Sequence, residues 1–325
     1  MTIVTPLTER LGILHPVISA PMAFAAGGKL AAAVSSAGGL GLIGGGYGDG
    51  DWLETQFREA GNARIGCGFI TWSLRRQPHL LDLVLAHKPA AVFLSFDDPA
   101  PFARAVKDAG ALLIQQVQTR ADAELALDSA ADVLVAQGGE AGGHAGSRAT
   151  MTLVPEVADL IAARAPATLL CAAGGIADGR GLAAALMLGA HGVLVGSRFW
   201  ATPEALVHPN LQAAAVAATG DVTVKTSVTD IVRGKDWPDR FKIRVLRNAF
   251  TDRWHGHEDD LRAAVDREAD GFTTAMAAGD VNVATPIVGE AAGLIRTVEP
   301  AAAILERLVG EAETLLAGAG RYVGR

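Results

Sequence analysis

Residues 168–199 have the sequence TLLCAAGGIADGRGLAAALMLGAHGVLVGSRF, in which one structural unit is followed by the start of another. An apolar run (168–173) ends in a glycine turn, a helical stretch (179–188) follows, and a second apolar run (192–196) leads into another glycine turn. Short continuous apolar runs bounded by glycine are typical of strands buried on both faces of a parallel sheet. The segment therefore predicts a strand–helix–strand unit of an α/β fold.

The same alternation extends back to the start of the chain. Further apolar runs occupy residues 16–22, 40–44, 64–70, 90–96, 111–117 and 133–137, and amphipathic helical stretches between the runs occupy residues 29–37, 52–60, 99–109, 120–130 and 154–165. Together these make eight predicted strands at regular spacing. A doubly wound sheet usually stops at five or six strands, so eight equal units favour a closed (β/α)8 TIM barrel.

The rhythm changes after the eighth predicted strand. Helical patterns without strand alternation occupy residues 203–218, 240–253 and 257–278. We therefore expect a smaller, mostly helical insertion after strand 8, with residues 1–202 and 282–325 forming the barrel and residues 203–281 forming a cap over its mouth. A last amphipathic helix, at 299–316, is expected to pack back on the barrel as its final helix.

Composition excludes several classes of protein. Half of the 325 residues are hydrophobic and 19% are charged, which provides for a deep core, and the net charge of −7 without a basic run argues against a nucleic-acid surface. Cys67 and Cys171 both lie in apolar runs, which favours a reducing compartment over a disulfide framework. No signal peptide is indicated, and no apolar run reaches the roughly 18 residues of a membrane-spanning helix, so we expect a cytoplasmic protein.

Two glycine turns predict a phosphate site. In TIM barrels the active site lies at the carboxyl ends of the strands, and phosphate often binds the loops after strands seven and eight. Here those loops carry Gly174 and Gly175, and Gly196 and Ser197. Glycine lets backbone N–H groups approach an anion, and the Ser197 hydroxyl is a further donor. Arg198 is expected either to add a charge or to pair with a carboxylate.

The loop after the sixth predicted strand contains Gly138-Gly139-Glu140-Ala141-Gly142-Gly143-His144. A histidine among glycines at a barrel mouth has little to pack against, which favours a catalytic role. With a reference pKa of about 6.5, His144 is suited to act as a base or, when protonated, to stabilise an anion. Glu140 is expected either to orient it or to be solvated.

Small and neutral polar residues lie at the other strand ends. They are expected either to supply neutral hydrogen bonds to a polar heterocycle such as a flavin ring or only to fill space at the strand ends. They are Ala20, Pro21 and Met22 at the first strand, Thr71 after the third, Gln116 in the fifth and Gln137 at the end of the sixth. His255 and His257 have no carboxylate or cysteine partner at a fitting spacing, so no metal site is predicted.

These motifs resemble the nitronate monooxygenase family, formerly called 2-nitropropane dioxygenases. The likeness covers most of the chain and is most specific in the Glu140–His144 segment. It implies an FMN-dependent barrel with His144 above the flavin, and it places the phosphate on the two glycine turns. Gln116 departs from the pattern because many bacterial relatives have a lysine there, and this departure would remove a positive charge near the flavin ring. The cofactor contacts that we expect are Ala20, Pro21, Met22, Thr71, Gln116, Gln137, Gly142, Gly143, Gly174, Gly175, Gly196 and Ser197.

The resemblance implies oxidation of a small nitronate or nitroalkane by FMN and O2, giving a carbonyl compound and nitrite. Three alternatives remain open at this point, since fold alone cannot separate them. The first is an NAD(P)H:quinone reductase on the same FMN barrel, the second a flavin-free phosphate-binding barrel isomerase or lyase, and the third a non-catalytic ligand-binding barrel. The physiological substrate and the oligomeric state stay open, a homodimer being one candidate.

Overall fold

The computed structural model describes residues 3–322, and a closed barrel of parallel strands lies at its centre. Within these residues the strands are β1 (Val17–Ser19), β2 (Leu42–Gly46), β3 (Gly66–Ile70), β4 (Ala91–Ser95), β5 (Leu112–Val117), β6 (Val133–Gln137), β7 (Gly143–Ala145), β8 (Leu169–Ala173), β9 (Gly192–Val195), β10 (Thr223–Thr226) and β11 (Lys242–Leu246). Eight of them pair in the order β1-β9-β8-β6-β5-β4-β3-β2, and a parallel bridge between Ile18 and Leu40 joins the two ends of the sheet. The predicted (β/α)8 TIM barrel is confirmed.

Helices surround the barrel and continue into the insertion. They are α1 (Pro6–Leu11), α2 (Gly28–Ser36), α3 (Gly50–Ala60), α4 (Thr71–Leu74), α5 (His79–Ala86), α6 (Ala100–Asp108), α7 (Arg120–Asp128), α8 (Thr150–Arg164), α9 (Gly179–Met187), α10 (Ser197–Trp200), α11 (Pro209–Ala217), α12 (Val228–Val232), α13 (Ala249–Trp254), α14 (Glu258–Ala278) and α15 (Ala301–Ala317), with 3-10 turns at Gly220–Val222, Glu290–Leu294 and Ala319–Tyr322. Helix α15 packs against α9 and α2, so it completes the helical ring as expected. No helix in the described part of the chain is long and apolar enough to cross a membrane.

The core has two layers, which follow from the alternation of side chains along buried strands. Residues such as Ile18, Phe93 and Ile114 fill the inside of the barrel. Their neighbours, among them Val92 and Leu113, face outward and pack under the helices. Both faces of every barrel strand are therefore buried, which explains why these strands are continuous apolar runs in the sequence.

The insertion contains strands that the sequence analysis did not predict. Residues 240–253, predicted to be helical, form β11 followed by α13, which begins after the capping residue Asn248. Strand β11 pairs antiparallel with β10 on one side and with β7, from the loop after β6, on the other. The alternation of half-buried Lys242 and Arg244 with buried Ile243 and Val245 is the period of a strand. The assignment of residues 203–281 to a separate cap domain stays a prediction.

Candidate active site

A cavity lies at the carboxyl ends of the barrel strands and extends under the insertion. It brings together residues from the ends of β1, β5, β6, β8 and β9, as expected for a TIM barrel. Of the residues that the sequence analysis singled out, those lining it are Ala20, Pro21, Met22, Gln116, Gln137, Glu140, Gly142, Gly143, His144, Gly174, Gly175, Gly196 and Ser197. The cavity walls are mostly apolar, and a few polar groups converge on them, which is the composition of a small-molecule site.

Thr71 is the expected contact that the structure does not bring to the cavity. It is fully buried at the first residue of α4, and its Oγ1 accepts a hydrogen bond from the backbone N of Ser95 at 2.9 Å. This bond ties the end of β3 to the end of β4. In this geometry Thr71 stabilises the barrel rim, and its contact with a cofactor stays a prediction without structural support.

His144 lies in β7 and is held by a carboxylate from the insertion. Its Nε2 lies 2.9 Å from Oδ2 of Asp230 in α12, and the exposed fractions of the two side chains are 8% and 4%. Burial is the largest influence on the pKa of His144 and lowers it, while the hydrogen bond and the charge of Asp230 raise it. A buried imidazole with one nitrogen bound to a carboxylate is the usual arrangement of an oriented general base.

The carboxylate that contacts His144 is that of Asp230 rather than that of Glu140. The carboxylate of Glu140 accepts hydrogen bonds from the backbone N and the Oγ1 of Thr150, at 3.0 and 2.9 Å, and so fixes the loop after β6 to the start of α8. The sequence analysis missed Asp230 because it lies in the insertion, 86 residues from His144, with no glycine turn or motif to mark it.

An aromatic wall closes the cavity on the side of the insertion. The ring of Trp237 stacks on that of His144, and Phe96 contacts both rings edge-on. The indole Nε1 of Trp237 donates a hydrogen bond to the hydroxyl of Tyr47 at 2.9 Å. Burial raises the pKa of Tyr47 to about 12, so its hydroxyl stays protonated at neutral pH. The wall excludes water from one face of the imidazole.

Two phenylalanines at this cavity have backbone conformations that L-residues rarely adopt. The φ angles of Phe24 and Phe96 are +65° and +69°. A bulky residue with positive φ is strained, and such strain persists only where the surrounding contacts hold it. Both residues line the cavity, so the strained positions coincide with the candidate site.

Neutral amides form the polar part of the cavity floor. The Oε1 of Gln137 accepts hydrogen bonds from Nε2 of Gln116 at 3.1 Å and from Nε2 of Gln118 at 3.0 Å. With its carbonyl oxygen bound twice, Gln137 is held in one orientation, and its own amide group is a donor at the cavity edge. These neutral amides suit hydrogen bonding to the polar edge of a heterocyclic ring.

The two glycine turns form a cradle on the other side of the cavity. Gly174 and Gly175 have φ angles of +97° and +73°, which glycine adopts without strain. The Oγ of Ser197 accepts a hydrogen bond from the backbone N of Gly289 at 2.9 Å, so its own proton is available to an anion. Arg198 does not face the cradle, because its Nη2 pairs with Glu299 at 3.1 Å and its Nη1 donates to the carbonyl of Thr297.

The chain is similar to known proteins over most of its length. The family model described as nitronate monooxygenase matches residues 4–64 and 73–311. The nitronate monooxygenase of Neurospora crassa is 35% identical, covering 91% of this chain and 89% of its own, and nitronate monooxygenase npaC of Metarhizium robertsii is 36% identical, covering 92% and 91%. The solved structure of FabK from Thermotoga maritima superposes with a TM-score of 0.86 at 32% identity, over 99% of this chain and 100% of that one.

Proposed function

The chain belongs to the nitronate monooxygenase family, and we propose that it binds FMN and oxidises alkyl nitronates with O2 to a carbonyl compound and nitrite. Members of this family are flavin enzymes that catalyse oxidations, and family membership makes this chain an oxidoreductase. The observation that carries the proposal is the buried His144–Asp230 pair, of which His144 lines the same cavity as the two glycine turns.

The residues present fit a flavin mononucleotide. We assign the ring to the apolar rim of Ala20, Pro21 and Met22 and to the amides of Gln116 and Gln137. The terminal phosphate is assigned to the cradle of Gly174, Gly175, Gly196 and Ser197, whose donors are backbone N–H groups and one hydroxyl. When bound, FMN supplies the electron-accepting chemistry that protein side chains lack.

His144 is suited to move a proton. Because its Nε2–H donates to Asp230, Nδ1 carries the lone pair and is the atom that accepts a proton. Burial lowers the pKa of His144, so the ring is neutral at pH 7 and ready to remove the α-proton of a neutral nitroalkane. The carboxylate of Asp230 then stabilises the imidazolium that forms. A nitronate has already lost that proton. With a nitronate as substrate, the imidazole of His144 therefore acts by orienting the substrate.

The test uses the purified protein, FMN and a nitronate without other charged groups. We expect the protein to bind FMN, to show a flavin absorption spectrum, and to release nitrite from propyl-2-nitronate only when O2 is present. A protein that stays colourless after FMN is added contradicts the proposal and favours the flavin-free isomerase or lyase. Rapid bleaching of the flavin by NADH under anaerobic conditions, without nitrite release from the nitronate in air, favours the quinone reductase.

A further inference from the structure

His144 lies in a short strand at the edge of the sheet that the insertion forms. Strand β7 spans three residues, Gly143–Ala145, and the order of the sheet is β10-β11-β7. Gly143 has a φ of +74° and Gly146 follows the strand, so the backbone on both sides of the histidine has the conformational freedom of glycine. Three residues of one edge strand are a weak restraint by themselves. The position of His144 therefore depends on what else holds its loop.

The three strands of this sheet present two different faces. Because paired residues of neighbouring strands project on the same side, Lys225 of β10, Arg244 of β11 and Gly143 of β7 share one face. The next row contains Ile243 and His144, which project on the other face, and both of these residues line the cavity. Lys225 and Arg244 therefore lie behind the strand that carries His144, on the side away from the cavity.

The two cations on this rear face hold the two ends of the loop after β6. The Nζ of Lys225 donates hydrogen bonds to the carbonyl oxygens of Ala145, at 3.2 Å, and of Gly146. The guanidinium of Arg244 donates to the carbonyl oxygen of Gly139, through Nη2 at 3.0 Å and through Nε at 3.3 Å. Lys225 thus fixes the chain directly after the histidine, and Arg244 fixes the start of the loop.

Lys225 differs from Arg244 in how many segments it joins. Arg244 also donates to Oγ1 of Thr223 at 3.0 Å and pairs with Glu290 at 2.8 Å, so its removal would disturb several parts of the molecule. Within residues 3–322, both hydrogen bonds of the Lys225 side chain go to the two residues that follow His144. Removal of the Lys225 ammonium group therefore acts on this loop with little effect on the rest of the sheet.

We infer that Lys225 is a positioning residue for His144, and that it keeps the imidazole at hydrogen-bond distance from Asp230 by binding the two carbonyl groups that follow the histidine. Hydrogen bonds from an ammonium group are about twice as strong as neutral ones, so one side chain restrains two peptide units. A displacement of about 1 Å at a reacting group can lower a rate about a hundredfold, so a restraint behind the strand affects the chemistry in front of it. The reaction that His144 serves rests on the proposed function, whereas the position of its ring does not.

Lys225→Met tests the inference, because methionine keeps an unbranched apolar side chain and lacks the charge and the N–H donors. With nitroethane and the FMN-loaded protein, we expect kcat to fall by about tenfold or more, while KM and the affinity for FMN stay within about twofold of wild type. Lys225→Arg keeps a cationic donor and should retain most of the activity. Lys242→Met is the matched control and should leave kcat unchanged, since Lys242 lies in β11 on the same face and its Nζ contacts the exposed Asp239 at 3.4 Å.

A measurement on the imidazole itself separates the inference from the proposed reaction. In protein with isotope-labelled histidine, the proton between Nε2 of His144 and Asp230 should give a downfield NMR signal that exchanges slowly with water. We expect Lys225→Met to make this exchange about tenfold faster or to remove the signal, and Lys242→Met to leave it as in the wild type. Faster exchange in a protein that releases no nitrite from any nitroalkane supports the positioning role and contradicts the proposed function. Where nitrite is released, an unchanged kcat or an unchanged exchange in Lys225→Met overturns the inference, and so does an equal change in Lys242→Met.

Discussion

The imidazole of His144 lies flat against the indole of Trp237, with 3.4 Å between the ring centroids and 8° between the ring planes. The indole covers one face of the imidazole and so contributes to the burial that lowers the pKa of His144. We expect Trp237→Ala to raise that pKa toward its ordinary value, because water reaches the uncovered face and favours the charged ring. An NMR titration of the His144 ring protons measures the change.

Trp237→Phe is the matched control, since it keeps an aromatic ring over the imidazole and loses only the Nε1–H bond to Tyr47. Its effect on the pKa of His144 should be much smaller. Equal effects of the two variants would show that the bond to Tyr47, and not the covering ring, sets the pKa.

Replacement of the base should slow reactions that need proton removal. We expect His144→Asn to lower nitrite formation from a neutral nitroalkane by about 10²–10⁴-fold, the usual contribution of general base catalysis, while FMN stays bound. The loss with a preformed nitronate should be smaller, because that substrate has no proton to lose. His255→Asn, in the insertion, is the control. Equal losses with both substrates would assign His144 to binding alone.

Asp230 is a positioning residue, and its removal should change both the rate and the pH profile. In the wild type the pKa of His144 lies below its ordinary value, so activity with a nitroalkane persists as pH falls through the usual histidine range and is lost only below it. Asp230→Asn removes the two influences that raise this pKa, so the acid limb should move to still lower pH. The rate should nevertheless fall by about a hundredfold, because the imidazolium loses its carboxylate partner.

The pH dependence of kcat/KM with a nitroalkane measures both effects of Asp230→Asn. A lower rate with an unchanged acid limb would reduce Asp230 to a structural role. A limb that moves to higher pH would contradict the assignment of the His144–Asp230 pair.

The phosphate cradle can be tested by adding a single methyl group. Gly175 has a φ of +73°, and an added Cβ meets no atom closer than 3.5 Å, so Gly175→Ala strains the backbone without a clash. We expect a loss of about 1 kcal/mol in the free energy of unfolding and a tenfold or greater loss of FMN affinity. Gly110→Ala is the matched control, because Gly110 has a φ of +78° and open space around it, far from the cavity.

For Gly110→Ala the stability loss should be similar, with no change in FMN affinity. Thermal unfolding and titration of the apoprotein with FMN give the two quantities. If both variants keep wild-type affinity, the phosphate lies elsewhere.

The amide of Gln116 should set the reduction potential of the bound flavin. Gln116→Lys places a buried positive charge at the cavity floor, where it stabilises the more negative reduced cofactor, and we expect the potential to rise by an amount on the order of tens of millivolts. Gln116→Met removes the hydrogen bond to Gln137 without adding charge and should shift the potential less. A reductive titration with a reference dye measures both, and equal shifts would rule out the charge as the cause.

The barrel could be predicted because each of its strands is a local signal. β6 lies at the residues predicted for it, and the other barrel strands fall within two or three residues of theirs, since burial on both faces makes each strand a continuous apolar run ended by a turn residue. The glycine turns were recognisable for the same reason: their chemistry lies in consecutive residues.

Asp230 and Trp237 could not be predicted in this way. Each belongs to the insertion and acquires its role only because β11 pairs with β7 and brings distant segments together. Residues 240–253 have apolar side chains at spacings that fit a helix nearly as well as a strand. The pairing of β11 with β7 could therefore not be recognised from the sequence. Glu140, four residues before His144 in the same loop, is the nearer carboxylate along the chain, but it is Asp230 that contacts the imidazole.

The pairing of Ile243 with His144 means that the imidazole proposed as the base is held by two parts of the molecule, the barrel loop and the insertion. Consider a chimera that joins this barrel to the insertion of a relative. In that chimera, the groups corresponding to Asp230, Trp237 and β11, which contact His144, would all come from the relative. Exchange of that segment would therefore replace most of the contacts of His144. We expect substitutions in the segment and in the loop of His144 to occur together in evolution.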